Sequence, residues 1–498
     1  MGDRILLVTG RQAAGSLASI YKNVHVCPVD VAALLSLNRI HQELSKIDLS
    51  CYSLILVPGL VSGDTRVLAK KLGIPVFKGT KHSSDLPMLL ENLNDITLST
   101  KHPADFELED KARQLAERSL KGAYSSKKNF LMKIGRKNAI CISKQSPMHL
   151  IAEIADAPRM SKAGLVRQAR YYAKSGASVI DIGMVSGEDN SSKVREIVKT
   201  VRSVVSLPVS IDSMNECEIS EACKAGVDLV LSVGEINIDI AKEIDVPFVL
   251  VPVDKKGKLP VKAEDRVDIL GRLLKRLKGC PVILDPVLSP LHHGFIESIR
   301  AYELLRERHP RMPLMMGAGN VTELLDADSP GINALIAGIA SEIGVQLLFT
   351  VEASSKTVGS VSELSTAAKM MFLSKNLGRS PKDVGFNLLR LKDKRRLEVV
   401  EDSNALKLKE VSCKIVPERL EPNFYRIYLK NDKIVAVGYA SGKPRSKFIG
   451  TSAEAICKKI CSTERIGSEH AAYLGRELVK AEIALVLGKN YVQDEKIF

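Results

Sequence analysis

Two short apolar runs in this chain end in polar side chains of different type. ILDPVLSPLH (Ile283 to His292) carries Asp285, and MMGAGNVTE (Met315 to Glu323) carries Asn320. Other apolar runs upstream and downstream end the same way, giving Glu153, Asp156, Asp181, Asp212, Ser232, Asp254 and Glu352 in chain order. Carboxylates accept hydrogen bonds, so a ring of them matches a ligand edge rich in N–H donors. A barrel gripping phosphate would instead offer Gly-rich backbone and Lys or Arg in its last loops, and here only Lys356 lies just beyond the eighth run. Magnesium would accept two or three of the acids, although the Asn and the lack of His at these ends do not select a metal. Any one Asp also serves as an ordinary helix cap. No Ser/His or Cys/His pair offers a nucleophile.

The elements that position these residues are repeated β-then-α units. Between Met148 and Phe372 the strand candidates are HLIAEIAD, SVIDIGMV, PVSIDS, VDLVLSV, PFVLVPV, PVILDPV, PLMMGAGN and VQLLFTVEA. Helical patterns such as KAGLVRQARYYAKSG and ECEISEACKAG lie between them and end in Gly, as a C-cap does. Eight units in roughly 225 residues is the count and length of a closed (β/α)8 TIM barrel, whose chemistry gathers at the C-terminal strand ends. An open doubly wound sheet is the alternative. We expect an α/β chain with an N-terminal Rossmann-like α/β domain (1–115), a linker (116–145), the barrel (146–385) and a C-terminal α+β domain (386–498).

In the N-terminal part RILLVTG, VHVCPV, SLILVPG and IPVFKG alternate with helical segments. VTGRQAAG is too loose for a dinucleotide fingerprint, and His82 and Asp85 read as loop capping. In the C-terminal part FYRIYLKNDKIVAVGYA reads as a hairpin turning at Asn431 and Asp432. Two helices follow, the second stopped by Gly488.

The 498 residues are 45% hydrophobic, enough for full-sized cores, and the net charge is +14. The basic residues are scattered among acids, and the denser runs KKNFLMKIGRK (Lys127 to Lys137) and KDKRR (Lys392 to Arg396) read as solvated segments near junctions. With aromatics at 4% and no Trp, base-stacking surfaces are not expected, hence no nucleic acid partner. Nine dispersed Cys without a CxxC pair argue against a zinc ribbon. The N-terminus shows no secretory pattern, and the apolar stretch Asn333 to Val351 is interrupted by Glu342. A cytoplasmic protein with no membrane partner is expected.

IDIGMVSG, SIDSMN, ILDPVLSPL and GAGNVT, in that order and spacing, resemble the pterin-binding barrel superfamily of dihydropteroate synthases and methyltetrahydrofolate methyltransferases. The whole chain resembles archaeal dihydropteroate synthase-related proteins, which set such a barrel between two further domains. The resemblance implies that Asp212 of SIDSMN and Asp285 of LDP bind the pterin ring. The 2-amino and N3–H groups of a pterin present two parallel donors, a bidentate match for one carboxylate. Glu153 and Asp181 complete the implied binding set. Where the family has Asn after the fourth strand this chain has Ser232, with Asn237 slightly later.

The seventh strand separates the two branches. Synthases carry a Ser-Arg-Lys run there, whereas Gly319-Asn320-Val321 is similar to the methyltransferase Gly-x-Ser-Asn segment, whose Asn hydrogen-bonds the pterin N5 region. DPVLSPL likewise resembles the methyltransferase DPL-x-x-P rather than the synthase DPG-x-G-F. The implied activity is therefore transfer of a methyl group from N5 of a reduced pterin, of tetrahydromethanopterin or tetrahydrofolate type, to a corrinoid or other acceptor. Asn320 would be the catalytic group, stabilising the poor amine leaving group without titrating. A corrinoid protein as partner and a homodimer are further expectations. Synthase-like condensation and a non-catalytic pterin-binding module are the alternatives.

Overall fold

The computed structural model describes residues 4–126, 128–136, 138–392 and 423–497. It divides into two units, Met1–Glu352 with Gly359–Leu388, and Ala353–Val358 with Leu389–Phe498.

Eight apolar runs form parallel strands: β7 (His149–Ile154), β8 (Val179–Gly183), β9 (Val209–Asp212), β10 (Leu229–Val233), β11 (Phe248–Leu250), β12 (Val282–Leu284), β13 (Met315–Gly317) and β14 (Leu347–Val351). They pair in the order β12-β11-β10-β9-β8-β7-β14-β13. The last seam, between β12 and β13, is narrow. A single bridge joins Leu284 to Leu314, and the Leu284 N–H donates to the Pro313 carbonyl at 3.0 Å. The sheet therefore curls into an eight-stranded barrel with helices between successive strands, and the open-sheet alternative does not hold. Helices Lys162–Lys174 and Glu216–Ala225 stop where glycines Gly176 and Gly226 take positive φ of 98° and 88°, a conformation that carries little cost without a Cβ.

Upstream lie β1 (Ile5–Thr9), β2 (Val24–Val26), β3 (Leu54–Val57) and β4 (Val76–Lys78), a parallel sheet of order β2-β1-β3-β4. It belongs to the same unit as the barrel. The loop after β4 is tied to the chain following the barrel by Asp85–Arg379 at 2.6 Å and Lys81–Asp383 at 3.4 Å, all four side chains under 20% exposed. Asp85 thus serves an ion pair rather than a loop cap.

The stretch 116–145, expected as a linker, is ordered where it is described. The helix Asp105–Ser125 runs into it, and β5 (Phe130–Ile134) pairs antiparallel with β6 (Ile140–Ser143). Ile134 and Ile142 are fully buried and join Ile151, Val179, Leu229 and Ile283 in the cluster inside the barrel. The turn of this hairpin meets the N-terminal strand ends. The Arg136 N–H donates to Asp228, and Asn138 donates to the Ser206 carbonyl. The hairpin therefore plugs the bottom of the barrel. Ile142→Val, removing one methyl group from this plug, is expected to lower stability by about 1 kcal/mol, measured by urea unfolding.

In the second unit β15 (Asn423–Leu429), β16 (Ile434–Ala440) and β17 (Lys443–Gly450) form an antiparallel sheet. The helices Ala453–Thr463 and Ser468–Leu487 share a core with it, and the second ends at Gly488 with φ 70°. Of the KDKRR run only Lys392 falls among the described residues. No helix among the described residues is long and apolar enough to cross a membrane.

Candidate functional site

Inward-facing side chains along a strand recur every second residue. Ile151, Val179 and Ile283 belong to the apolar barrel interior. Two positions further toward the C-terminal ends the same faces carry Glu153, Asp181 and Asp285. Strand register aligns Glu153 with Asp181, Asp181 with Ser210, and Gly183 with Asp212. The barrel lining thus changes from aliphatic to acidic within one layer, at the end where barrels of this kind hold their ligands.

Asp285 is 5% exposed. Its Oδ1 accepts from the Tyr302 hydroxyl at 2.6 Å and from the Val287 N–H at 2.7 Å, while its Oδ2 accepts nothing among the described residues. Burial pushes the carboxyl up to about 6, against the lowering effect of the Tyr302 and Val287 hydrogen bonds and Arg266. The loop that follows is strained: Val287 has φ 66°, a left-handed conformation rare for a β-branched residue. Arg266, 1% exposed on the helix Ala263–Arg276, holds it in place. Its guanidinium donates to the carbonyls of Pro260, Pro286 and Val287 and to Ser289 Oγ, at 2.5–3.1 Å. Neither Arg266 nor Tyr302 was visible from the sequence, because both lie inside helices, away from any strand end.

Asp212 accepts a 2.6 Å hydrogen bond from Ser232 Oγ on its Oδ1. Burial raises its carboxyl and the Ser232 bond opposes this. The rest of SIDSMN builds the turn. Ser213 donates to the buried Glu218, and Asn215 caps the next helix, accepting from the N–H groups of Cys217 and Glu218. Ser232 sits at φ 67°, directing its hydroxyl to Asp212. Asn237 is 2% exposed and wholly engaged with backbone. Its Oδ1 accepts from the Gly234 N–H, and its Nδ2 donates to the carbonyls of Met214 and Ser232. With both amide hydrogens occupied it braces two loops and has no donor left for a ligand.

Glu153 and Asp181 lie beside Asp212. Burial, then Asp212 and Asp156, push Glu153 up to about 8. Asp181 is fully buried, with Oδ1 accepting from Ser210 Oγ at 2.5 Å, and burial with the neighbouring acids raises it well above the usual carboxylate range.

Asn320 stands on a helical turn, Gly319–Thr322, one step beyond the end of β13 rather than at the strand end itself. It is exposed, and its Nδ2 donates to the Leu288 carbonyl at 2.7 Å, tying it to the loop after Asp285. The carboxamide oxygen makes no hydrogen bond among the described residues. Three other strand-end acids serve locally. Asp254 accepts from the N–H groups of Lys256 and Lys258, Asp156 pairs with Arg159 at 3.6 Å, and Glu352 accepts from the Tyr171 hydroxyl and the Val361 N–H. Lys356 falls in the second unit. The structure thus brings Glu153, Asp181, Asp212, Ser232 and Asp285 to one acidic rim, with Asn320 tied to it through Leu288.

If Asp285 receives N–H donors it must be ionised, so binding is present above its titration and lost as pH falls through it. Ligand affinity is expected to be flat at neutral pH and to fall about tenfold per pH unit below about 6. Tyr302→Phe removes a bond that favours the ionised form and moves this midpoint upward. Calorimetric titration across pH checks both.

The fold and its acidic rim define a barrel of the pterin-binding enzyme class, and a family model described as "Pterin binding enzyme" matches residues 155–278. A second model, PterinBD-DUF4346, matches residues 422–494. An uncharacterized protein of Methanocaldococcus jannaschii is 35% identical over 99% of both chains. The chain belongs to the same family as that protein, the pterin-binding proteins related to dihydropteroate synthase. A Ycf91-like protein of Nostoc is 49% identical over 53 residues, 9% of this chain and 40% of that one. Among solved structures, a 7,8-dihydropteroate synthase from Vibrio fischeri is 20% identical, with a TM-score of 0.40, covering 50% of this chain and 99% of its own. A Yersinia pestis dihydropteroate synthase bound to a pterine-sulfa conjugate is 17% identical, with a TM-score of 0.40, covering 49% and 100%.

Proposed function

We propose that the acidic rim binds a reduced pterin, of tetrahydromethanopterin or tetrahydrofolate type, and that the barrel transfers a methyl group from its N5 to a corrinoid or other acceptor. The observation that carries the binding is the pair of buried acids, Asp285 and Asp212, each with Oδ1 held by a hydroxyl and Oδ2 left to a ligand. A pterin pyrimidine edge supplies the matching parallel N–H donors. In this reading Asp285 and Asp212 grip the ring, Ser232 orients Asp212, and Asn237 positions the loops. Glu153 and Asp181 complete the binding set on the same rim.

The reaction reading rests on the seventh-strand residues. Gly319-Asn320-Val321 places a carboxamide where a synthase has cations, and a carboxamide donates a hydrogen bond at neutral and acidic pH alike. Methyl transfer breaks the N5–CH3 bond, leaves the electron pair on N5, and passes the methyl to the nucleophilic acceptor. A hydrogen bond to N5 that strengthens as negative charge develops there lowers the barrier. The corrinoid supplies the cobalt(I) nucleophile from outside this chain.

The test is consumption of a methyl-tetrahydropterin with and without cobalt(I) cobalamin, followed by the absorbance of methylcobalamin. Turnover that depends on the corrinoid and falls in Asn320→Ala supports the reading. Binding without turnover across acceptors reduces it to a pterin-binding module. Condensation of a pterin pyrophosphate with an aminobenzoate would replace methyl transfer with synthase chemistry.

A further inference from the structure

Glu153, Asp181 and Asp212 each bring a carboxylate oxygen to within 4.8 Å of the others. Asp181 is central, on β8 between β7 and β9. It is 0% exposed, and its Oδ2 is buried without a hydrogen-bond partner. No Lys or Arg among the described residues forms an ion pair with any of the three. A buried carboxylate oxygen with neither donor nor cation is costly, so something must neutralise the cluster.

The backbone is shaped to assemble it. A Cβ on Gly183 would lie 2.1 Å from Glu153 Oε1. Glycine at this position on β8 lets the Glu153 carboxylate lean across the strand toward Asp212, the register partner of Gly183. Any other residue would push Glu153 out of the cluster. The donor set is all oxygen, with no thiolate or imidazole, which suits hard cations.

We propose that Glu153, Asp181 and Asp212 form a binding site for one hard divalent cation of the magnesium or manganese type. Asp181 contributes its unpartnered Oδ2, and Ser210 fixes its other oxygen. The site stands on these three residues alone. A cation there also keeps Asp212 ionised and so raises the rim's affinity for N–H donors, a coupling that rests on the pterin reading.

The test is titration of the full chain, after removal of metals with EDTA, with manganese(II) followed by the electron paramagnetic resonance signal of the free ion. Wild type is expected to take up one ion per chain, displaceable by magnesium. Asp181→Asn and Gly183→Ala are each expected to weaken uptake about tenfold or more, with cooperative melting retained. Should Asp181→Asn fail to fold, Glu153→Gln at the partly exposed edge of the cluster provides the same readout. No saturable uptake by wild type, or uptake unchanged in these variants, overturns the proposal and leaves protons as the neutralising species. Pterin titration of the same EDTA-treated chain separates the two readings. Pterin binding without manganese uptake removes the cation site alone, and uptake without pterin binding removes the pterin reading alone.

Discussion

Asp285→Ala is expected to weaken reduced-pterin binding by about 2–4 kcal/mol, or roughly 30- to 1000-fold in Kd. The magnitude follows from burial. At 5% exposure the carboxylate is already stripped of water and held by Tyr302 and Val287, so a pterin meets a preorganised acceptor. Alanine leaves two ligand N–H groups facing an apolar wall, and their lost hydration is not replaced. Asp254→Ala is the control. That acid also follows a barrel strand but caps its own loop, and its removal should leave affinity unchanged. Equal affinity in wild type and Asp285→Ala, by calorimetry, would remove the basis of the site.

Arg266→Met is expected to be the most destabilising single change near the rim, at about 3–5 kcal/mol. Methionine fills a similar volume but leaves the carbonyls of Pro260, Pro286 and Val287 without the donor that now serves all three. The strain at Val287, about 1–3 kcal/mol for a non-glycine residue with positive φ, persists only while that loop is pinned. Its release would also move the N–H that holds Asp285. Thermal or urea unfolding should show the stability loss, and pterin affinity should fall with it even though Arg266 itself touches no ligand. A variant as stable as wild type would mean that the loop after β12 holds its shape without the guanidinium.

The barrel strands and their acidic ends were legible because two signals coincide there: a continuous apolar run of strand length and a single polar residue where it stops. Asp181, Asp212 and Asp285 all fit that pattern. Arg266 and Tyr302 were not legible. A charged residue in AEDRVDIL reads as part of a solvated helix face, and a Tyr in a helix reads as packing. Only the fold turns them toward the rim. Asn237 was misleading for a related reason: its position after the fourth strand is right, but the kinked turn Glu235–Lys242 uses its amide on backbone. The plug hairpin was obscured by its polar residues, since Ile134 and Ile142 are its only fully buried side chains. The third strand of the C-terminal sheet, KPRSKFIG, was hidden because its side chains are mostly exposed.

The most direct test of the acidic rim as a pterin site is calorimetric titration of the full chain with tetrahydromethanopterin and tetrahydrofolate forms, beside a folded Asp212→Ala/Asp285→Ala double variant. One saturable site per chain in wild type, lost in the double variant, is the predicted result. No saturable binding of any reduced pterin by wild type, or the same affinity in the double variant, would contradict it.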